Sequence, residues 1–293
     1  MTNLRVSYTE NSVSRCKPLL GTFVEISISG MASDRYLLDQ SEKAYKAIEL
    51  VQSTMSFHDS SSELSIINQQ ALCKPVALSK NMYKILSKVD EFNHDSSGLF
   101  DPSIAPVLIS SEMLPRTLGT ISYRLSGDNY GSWRDVVLEH RSIRFRKPVL
   151  LDLGGIAKGF AVDQALAAID PELTIVINAG GDIAMNHWQN QSVGIYFGTR
   201  DSQAIKQIPM QNSCLATSAS YLNEQQSVII DPLSGCAKES NNTYSVFAPN
   251  CMTADALTKF IWLEGVDSKL MKQHHASSSI IDQYGFYVSQ LQK

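Results

Sequence analysis

The chain has 293 residues, a formal net charge of -4, 43% apolar and 18% charged residues. That is enough chain to bury a large core, as one body or two lobes, in an ordinary globular composition. Lys and Arg form no cluster that would mark a nucleic-acid partner, and no apolar run approaches the roughly 20 residues of a membrane-spanning helix.

The first residues, MTNLRVSYTENSVSRCKPLLG, lack the apolar stretch of a signal peptide. Cys16 follows SVSR, so no lipid-anchor site is expected there. Residues 1–17 read as an N-terminal extension to a domain spanning 18–293. The five cysteines are odd in number and show no CxxC spacing, which argues against a zinc site and a fully paired disulfide framework. A reducing, cytoplasmic setting is the expectation, with a periplasmic one if a leader has been removed.

Alternation in Phe23–Gly30 predicts a strand. Asp34 to Met55 carries Tyr36, Leu37, Tyr45, Ala47, Ile48 and Val51 at helical spacing, and Asn81 to Phe92 predicts a second helix. VLISSEMLPRTLGTISY reads as an irregular surface excursion. Asp135–Ile143 and Phe145–Leu151 suggest a hairpin turning near His140–Arg141.

The most informative stretch follows, LDLGGIAKGFAVD, residues 151–163. The apolar run PVLL leads into Asp152, then Gly154, Gly155, Lys158 and an apolar helical segment, so it predicts strand, tight turn and helix. Glycines let a ligand approach the backbone, and a helix start offers free N–H groups and a positive dipole end. With Lys158 in the first turn, that is a site for phosphate or pyrophosphate. The rival reading is a turn whose glycines only serve packing. TIVINAGGDIAM ends a second predicted strand in Gly180–Gly181, suggesting two turns around one ligand.

SVIIDPLSG predicts a strand ending in a proline turn. SVFAPNCMTADALTKFIWLEG predicts strand, loop and helix, with Thr253 as N-cap and Asp255 in the first turn. SSSIIDQ and GFYVSQL predict a closing hairpin around Tyr284–Gly285. Strands, hairpins and interspersed helices together predict an α+β fold with mixed or antiparallel sheets and packed helices. Taken singly, Asp255 is ordinarily a helix-dipole residue, His58 a solvated loop residue, Asp163 and Asp182 turn braces, Lys259 half of an i,i+4 ion pair and Cys251 an inert thiol.

The ordered set PLLGTFVEI, MSFHDSSSELSIIN, GLFDPSIAPVL, DLGGIAKGFAVDQA, VINAGGDI, ATSASY, IIDPLSG and TADALTKFIWLEG resembles the ApbE family of FAD:protein FMN transferases, from Pro18 to about Gly265. The resemblance implies an enzyme of ApbE-like α+β fold that binds FAD as substrate. With Mg2+ it would transfer FMN to a Thr or Ser of a partner flavoprotein. It places Leu20, His58, Leu99, Phe100, Asp101, Asp152, Lys158 and Ile229 at the flavin nucleotide. It places Asp255 and the Gly155 carbonyl at the metal, with Asp255 and the position of Lys259 as the catalytic pair. Such a donor set of carboxylate, carbonyl and phosphate oxygens suits magnesium.

Two departures mark a divergent member. Val228 stands where the family often has His in S-H-x-x-D-P. Lys259 stands where it has a metal-binding Thr, and Thr258, one place early, is turned about 100° around the helix. Lys259 either opposes the metal or takes its place beside the phosphates. The alternatives are a flavin-binding protein or FAD pyrophosphatase of the same fold, and a non-catalytic protein-interaction module.

Overall fold

A computed structural model of the protein describes residues 10–118, 121–122, 130–199, 202–219 and 229–290. The chain opens with β1 (Asn11–Leu19) and β2 (Thr22–Gly30), paired along their whole length. Residues 11–17 of the expected extension are therefore part of a sheet. Leu20 and Gly21 join the strands, both at positive φ (57° and 71°), as a two-residue turn matching strand twist requires.

Helix α1 (Asp34–Met55) follows, capped by the Ser33 side chain. Its buried Tyr45 donates its hydroxyl hydrogen to the Arg15 carbonyl at 2.7 Å, fastening the helix to the first hairpin. Then come α2 (Glu63–Gln70), β3 (Val76–Ala77), α3 (Lys80–Asp95) and α4 (Ala105–Ser110). The segment expected to be irregular thus contains part of a helix, as well as the short pair β4 (Thr117–Leu118) and β5 (Ile121–Ser122). The predicted hairpin is β6 (Val136–Glu139) and β7 (Ser142–Phe145), turning at His140 and Arg141, both left-handed.

Residues 148–153 differ from expectation. They form no strand, and Asp152 lies in extended chain outside any ladder, its N–H donating to the Pro102 carbonyl. The glycine turn leads directly into α5 (Ala157–Ala167). The second double glycine joins β8 (Thr174–Ala179) to β9 (Asp182–Met185) as an antiparallel hairpin. After β10 (Ser192–Thr199) and β11 (Ser202–Pro209) come β12 (Cys214–Ala219), β13 (Ile229–Asp231), β14 (Cys236–Lys238) and β15 (Thr243–Ala248). The chain continues through α6 (Cys251–Glu264), α7 (Ser268–Gln273) and the closing hairpin of β16 (Ser277–Ile281) and β17 (Tyr287–Gln290).

Eight strands make the main sheet, in the order β1-β2-β8-β9-β12-β15-β16-β17, antiparallel at every junction. Helix α1 packs on β1 and β2, α5 on β8 and β9, and α6 on β12 and β15, with α5 between the other two. Alternation on β2 and β8 supplies Val24, Ile26, Ile28, Ile175 and Ile177 to that interface, all buried. A second apolar cluster, including Val193, Ile208, Leu215 and Phe247, joins the β10–β11 ribbon to the central strands. This explains why β15 is buried at every position. No helix among the described residues is long and apolar enough to cross a membrane. No disulfide is present, and Cys214 and Cys251 are buried thiols.

The close approach of α5 to α6 depends on Gly159. A Cβ there would lie 2.3 Å from the Cys251 carbonyl oxygen and 2.9 Å from the Asp255 Cβ. The obstructing atoms include backbone, so the helices would have to separate. Gly159→Ala should cost about 3 kcal/mol, the upper end for overpacking a core. Gly155→Ala, whose Cβ would meet its neighbours at an ordinary 3.7 Å, should stay within about 1 kcal/mol. Urea unfolding of the two variants checks this, and equal midpoints would contradict it.

Candidate functional site

A cleft of about 800 Å³ opens where the N-terminus of α5, the middle of α6, the β1–β2 turn and the segment 99–108 converge. That volume is in the range of small-molecule and cofactor sites. Its lining includes every residue singled out from the sequence for the nucleotide: Leu20, His58, Leu99, Phe100, Asp101, Asp152, Lys158 and Ile229. Gly155 and Lys259 line it as well. Asp255 sits behind this surface, fully buried. Val228 lies outside the described residues, so the departure at that position has no structural counterpart here.

The two glycine turns do meet at the cleft, since Gly154, Gly155 and Gly180 all border it. They arrive differently, one as a helix start and the other as a hairpin tip. Gly180 is at φ +64°, and a Cβ there would strike the Thr22 hydroxyl at 2.5 Å. Helices α1, α2, α3 and α6 begin at Ser33, Ser62, Ser79 and Asn250, each with a side-chain cap. Among described helices of eight residues or more, α5 alone has no side-chain cap, Ile156 standing at that position. Its end faces the cleft through Gly155, Ile156, Ala157 and Lys158. The Ile156 and Ala157 N–H groups donate to the Leu153 carbonyl and the Gly159 N–H to Asp255, which leaves the Lys158 N–H and the positive dipole end for an anion.

Two buried carboxylates lie behind the cleft, each paired with a partly exposed lysine that lines it. The Lys158 ammonium donates to Asp182 at 2.9 Å, and Asp182 is 1% exposed. Burial pushes the Asp182 carboxyl up to about 6, with Asp255 adding to the rise and both lysines opposing it. Burial by itself would lower the Lys158 ammonium, but Asp182 and Asp255 outweigh it, and the net shift is upward. Asp182 is thus the partner of a site lysine, more than a turn brace.

Lys259 donates to the Asp255 carboxylate in a very short contact and to the Asp255 carbonyl at 3.0 Å. The second carboxylate oxygen of Asp255 accepts the Gly159 N–H at 3.1 Å. Burial would raise the Asp255 carboxyl, but Lys259 and Lys158 hold it below the ordinary range. Lys259 forms the i,i+4 ion pair expected of its spacing and also lines the cleft.

Asp255 is in the second turn of α6. The cap is Asn250, accepting from the Thr253 N–H at 2.8 Å, and Thr253 is inside the helix. A helix-dipole role for Asp255 is correspondingly weak. The helix start is held instead by Asp163 of α5, which accepts from Cys251 N–H at 2.7 Å and Met252 N–H at 2.9 Å. Asp163 is a brace for α6, its carboxyl raised to about 6 by burial against those hydrogen bonds. Burial also pushes the Cys251 thiol well up, and it donates to the Ile183 carbonyl, so it is inert.

The remaining nucleotide candidates divide by what their side chains are free to do. Both Asp101 oxygens are engaged, with the N–H and hydroxyl of Ser103 and the N–H of Trp133. Its carboxylate shapes the 99–108 segment. Asp152 accepts the Gly154 N–H at 3.1 Å, and burial raises its carboxyl against the backbone N–H groups of Gly154 and Leu153 and against His58. Phe100 and the Lys259 stem flank Gly155, each 3.7 Å from where its Cβ would be. Trp262, Met55 and Leu108 also line the cleft and were not singled out from the sequence. Trp262 was discernible at i+3 from Lys259; Met55 and Leu108 carried only core-like signals.

Magnesium takes oxygen ligands, and an ammonium already seated on a carboxylate opposes a divalent cation at the same group. At Asp255 one oxygen holds an ammonium and the other a backbone N–H. The neighbouring Thr258 hydroxyl donates to the Asp255 carbonyl at 2.7 Å and bonds Ser218 at 2.9 Å, away from that carboxylate. This donor set does not fit a divalent cation at Asp255.

The Lys158–Asp182 pair has a stability signature. Lys158→Met leaves Asp182 buried and unpartnered, which should cost about 3 kcal/mol, the low end for a broken buried pair. Lys158→Met/Asp182→Asn should recover most of it. A carboxyl raised in the folded state stabilises the fold at low pH and loses that contribution as pH rises from about 4 to about 6. Removing Lys158 moves the upper limit higher. The single variant should therefore lose more stability than wild type between about pH 5 and about pH 8. Parallel wild-type and variant curves of unfolding free energy against pH would contradict the pairing.

Comparison with known proteins bears on the family and the fold. The ApbE family model matches residues 20–280. A Chlamydia muridarum FAD:protein FMN transferase is 29% identical over 217 residues, covering 67% of this chain and 66% of the relative. A Treponema pallidum protein of the same name is 22% identical, covering 87% of this chain and 79% of the relative. The flavin transferase ApbE of Vibrio cholerae superposes with a TM-score of 0.76 at 20% identity, covering 96% of this chain and 97% of that one. The ApbE protein of Thermotoga maritima gives 0.76 at 22% identity over 95% and 96%. The α+β fold is thus that of the ApbE proteins, and with nearly all of its length matched the chain belongs to the ApbE family.

Proposed function

We propose that this chain is an FAD:protein FMN transferase acting on a Thr or Ser hydroxyl of a partner flavoprotein. The observation that carries the reading is the start of α5, whose N-cap position offers no side-chain acceptor, with Lys158 and Lys259 beside it, opening into an otherwise largely apolar cleft. An anion-binding helix end joined to an apolar slot suits a molecule with a pyrophosphate and a flat ring. The curated relatives bearing that name supply the reaction.

In this reading Leu20, Leu99, Phe100, Ile229 and the rim residue His58 receive the ring system. Asp152 accepts from the adenosine half. The hydroxyl oxygen of the acceptor attacks the phosphorus of the FMN half. The new P–O bond forms as the bridging P–O bond breaks, and the bond's electron pair leaves with AMP. The hydroxyl proton passes to solvent.

The chain's part is charge and position. Lys158, Lys259 and the positive end of α5 stabilise the oxygens on which negative charge accumulates. Asp182 and Asp255 are positioning residues, each holding one of those lysines by an ion pair. The magnesium that the resemblance implies finds no fitting donor set at Asp255, and no step is assigned to it.

FAD should bind more tightly than riboflavin, which has no phosphate for these groups to hold. Equal affinities in calorimetry would remove the pyrophosphate from the reading. Incubation with FAD and an acceptor flavoprotein should raise the acceptor's intact mass by one FMN less water and release AMP. Asp255→Asn should lower that transfer at least about 100-fold, the scale of losing one organised electrostatic contact. Turnover at the wild-type rate would make Asp255 a packing residue. AMP release without any acceptor mass change would favour the pyrophosphatase reading instead.

A further inference from the structure

We propose that the Lys259 ammonium is the resident cation of the pyrophosphate site, standing beside Asp255 and Gly155 where the family resemblance places magnesium, so that flavin-nucleotide binding by this chain needs no divalent metal. The inference rests on the flavin reading above and concerns how that same site is charged.

Three observations carry it. The first is position. The Lys259 stem passes the Gly155 backbone, with Cε and Cγ 3.7 and 3.9 Å from where a Gly155 Cβ would be, and the side chain lines the cleft. Its ammonium is on the Asp255 carboxylate, one of the two groups expected around a metal, while its stem runs beside Gly155, the residue that would supply the other.

The second is valence. An ammonium has three N–H donors and no acceptor. Two are given to Asp255, one to the carboxylate and one to the carbonyl. The third remains for a phosphate oxygen in the cleft. Lys158 gives one to Asp182 and keeps others, so two fixed cations can straddle a pyrophosphate.

The third is charge balance. Asp182, Lys158, Asp255 and Lys259 carry two negative and two positive charges, each acid paired with one lysine. A divalent ion at Asp255 would displace Lys259 or face it across one carboxylate. The hydroxyl that could have served as a ligand, that of Thr258, is committed to Ser218 and a backbone carbonyl.

The test is FAD titration of the full chain by fluorescence and calorimetry, in EDTA and in excess magnesium, with Mn2+ binding to the FAD complex followed by electron paramagnetic resonance. Wild type should bind FAD equally in both buffers and take up no stoichiometric Mn2+. Lys259→Thr should bind FAD at least about tenfold more weakly in EDTA, the scale of one charge-assisted hydrogen bond. It should recover with magnesium and bind Mn2+. Lys259→Arg, which keeps a cation on the helix, should remain metal-independent and guards against a folding defect in the threonine variant. Wild-type binding that collapses in EDTA, or stoichiometric Mn2+ in the wild-type complex, would overturn the proposal and leave the flavin reading standing. Absence of FAD binding in either buffer would overturn the flavin reading, and this inference with it.

Discussion

Helices α5 and α6 meet at Gly159 with no room for a side chain between them, and the site depends on that contact. The Asp255 carboxylate accepts the Gly159 N–H, and Asp163 from α5 accepts the first two N–H groups of α6. Each helix thus anchors the other by backbone hydrogen bonds to buried carboxylates, in surroundings where an unsatisfied partner would be costly. The consequence is positional. Lys158, in the first turn of α5, and Lys259, in the third turn of α6, are brought to one cleft and held there by helices that cannot slide past each other.

The same packing sets the electrostatics. Two buried aspartates hold two partly exposed lysines as two ion pairs along one side of the cleft. Neither pair is primarily a source of stability, since desolvation offsets much of the attraction between buried charges. Their value lies in direction, because each aspartate holds a flexible lysine where a phosphate can reach it. A helix end without a side-chain cap adds to the same positive region. The N-cap residues of α1, α2, α3 and α6 supply capping side chains, whereas α5 has Ile156 there and its Gly159 N–H is held by Asp255 from α6.

The large antiparallel sheet gives these helices a rigid base. Its inward alternation on β2 and β8 buries an apolar face under α1 and α5, while the β10–β11 ribbon joins the central strands through a second apolar cluster. With the central strands packed in this way, the hairpin tips at Leu20–Gly21 and Gly180–Gly181 become fixed walls of the cleft. Thr22 at 2.5 Å from where a Gly180 Cβ would be leaves that tip to glycine, which joins two distant hairpins at one wall.

Local patterns alone determined much of this protein. The periodicity of residues 34–55 and 81–92, the left-handed turn at His140–Arg141 and the closing hairpin at Gly285 are short-range properties of the chain, and they appear in the structure where the residues placed them. The ordered motifs likewise identified the family and the residues lining the cleft. What local pattern missed was decided by partners far away in sequence. PVLL has the apolarity of a strand but no neighbouring edge to pair with, so it stays extended outside any ladder. Residues 11–17 look like a loose extension until β2 supplies one. Thr253 and Asn250 are both competent caps, and the choice fell to Asn250 because Asp163, nearly ninety positions earlier, holds the N–H groups that follow it. Lys259 could have been a solvent-facing half of a helical ion pair. Only tertiary packing could turn that pair into the cleft, because the i,i+4 spacing states which residues share a face of α6 and says nothing of what that face meets.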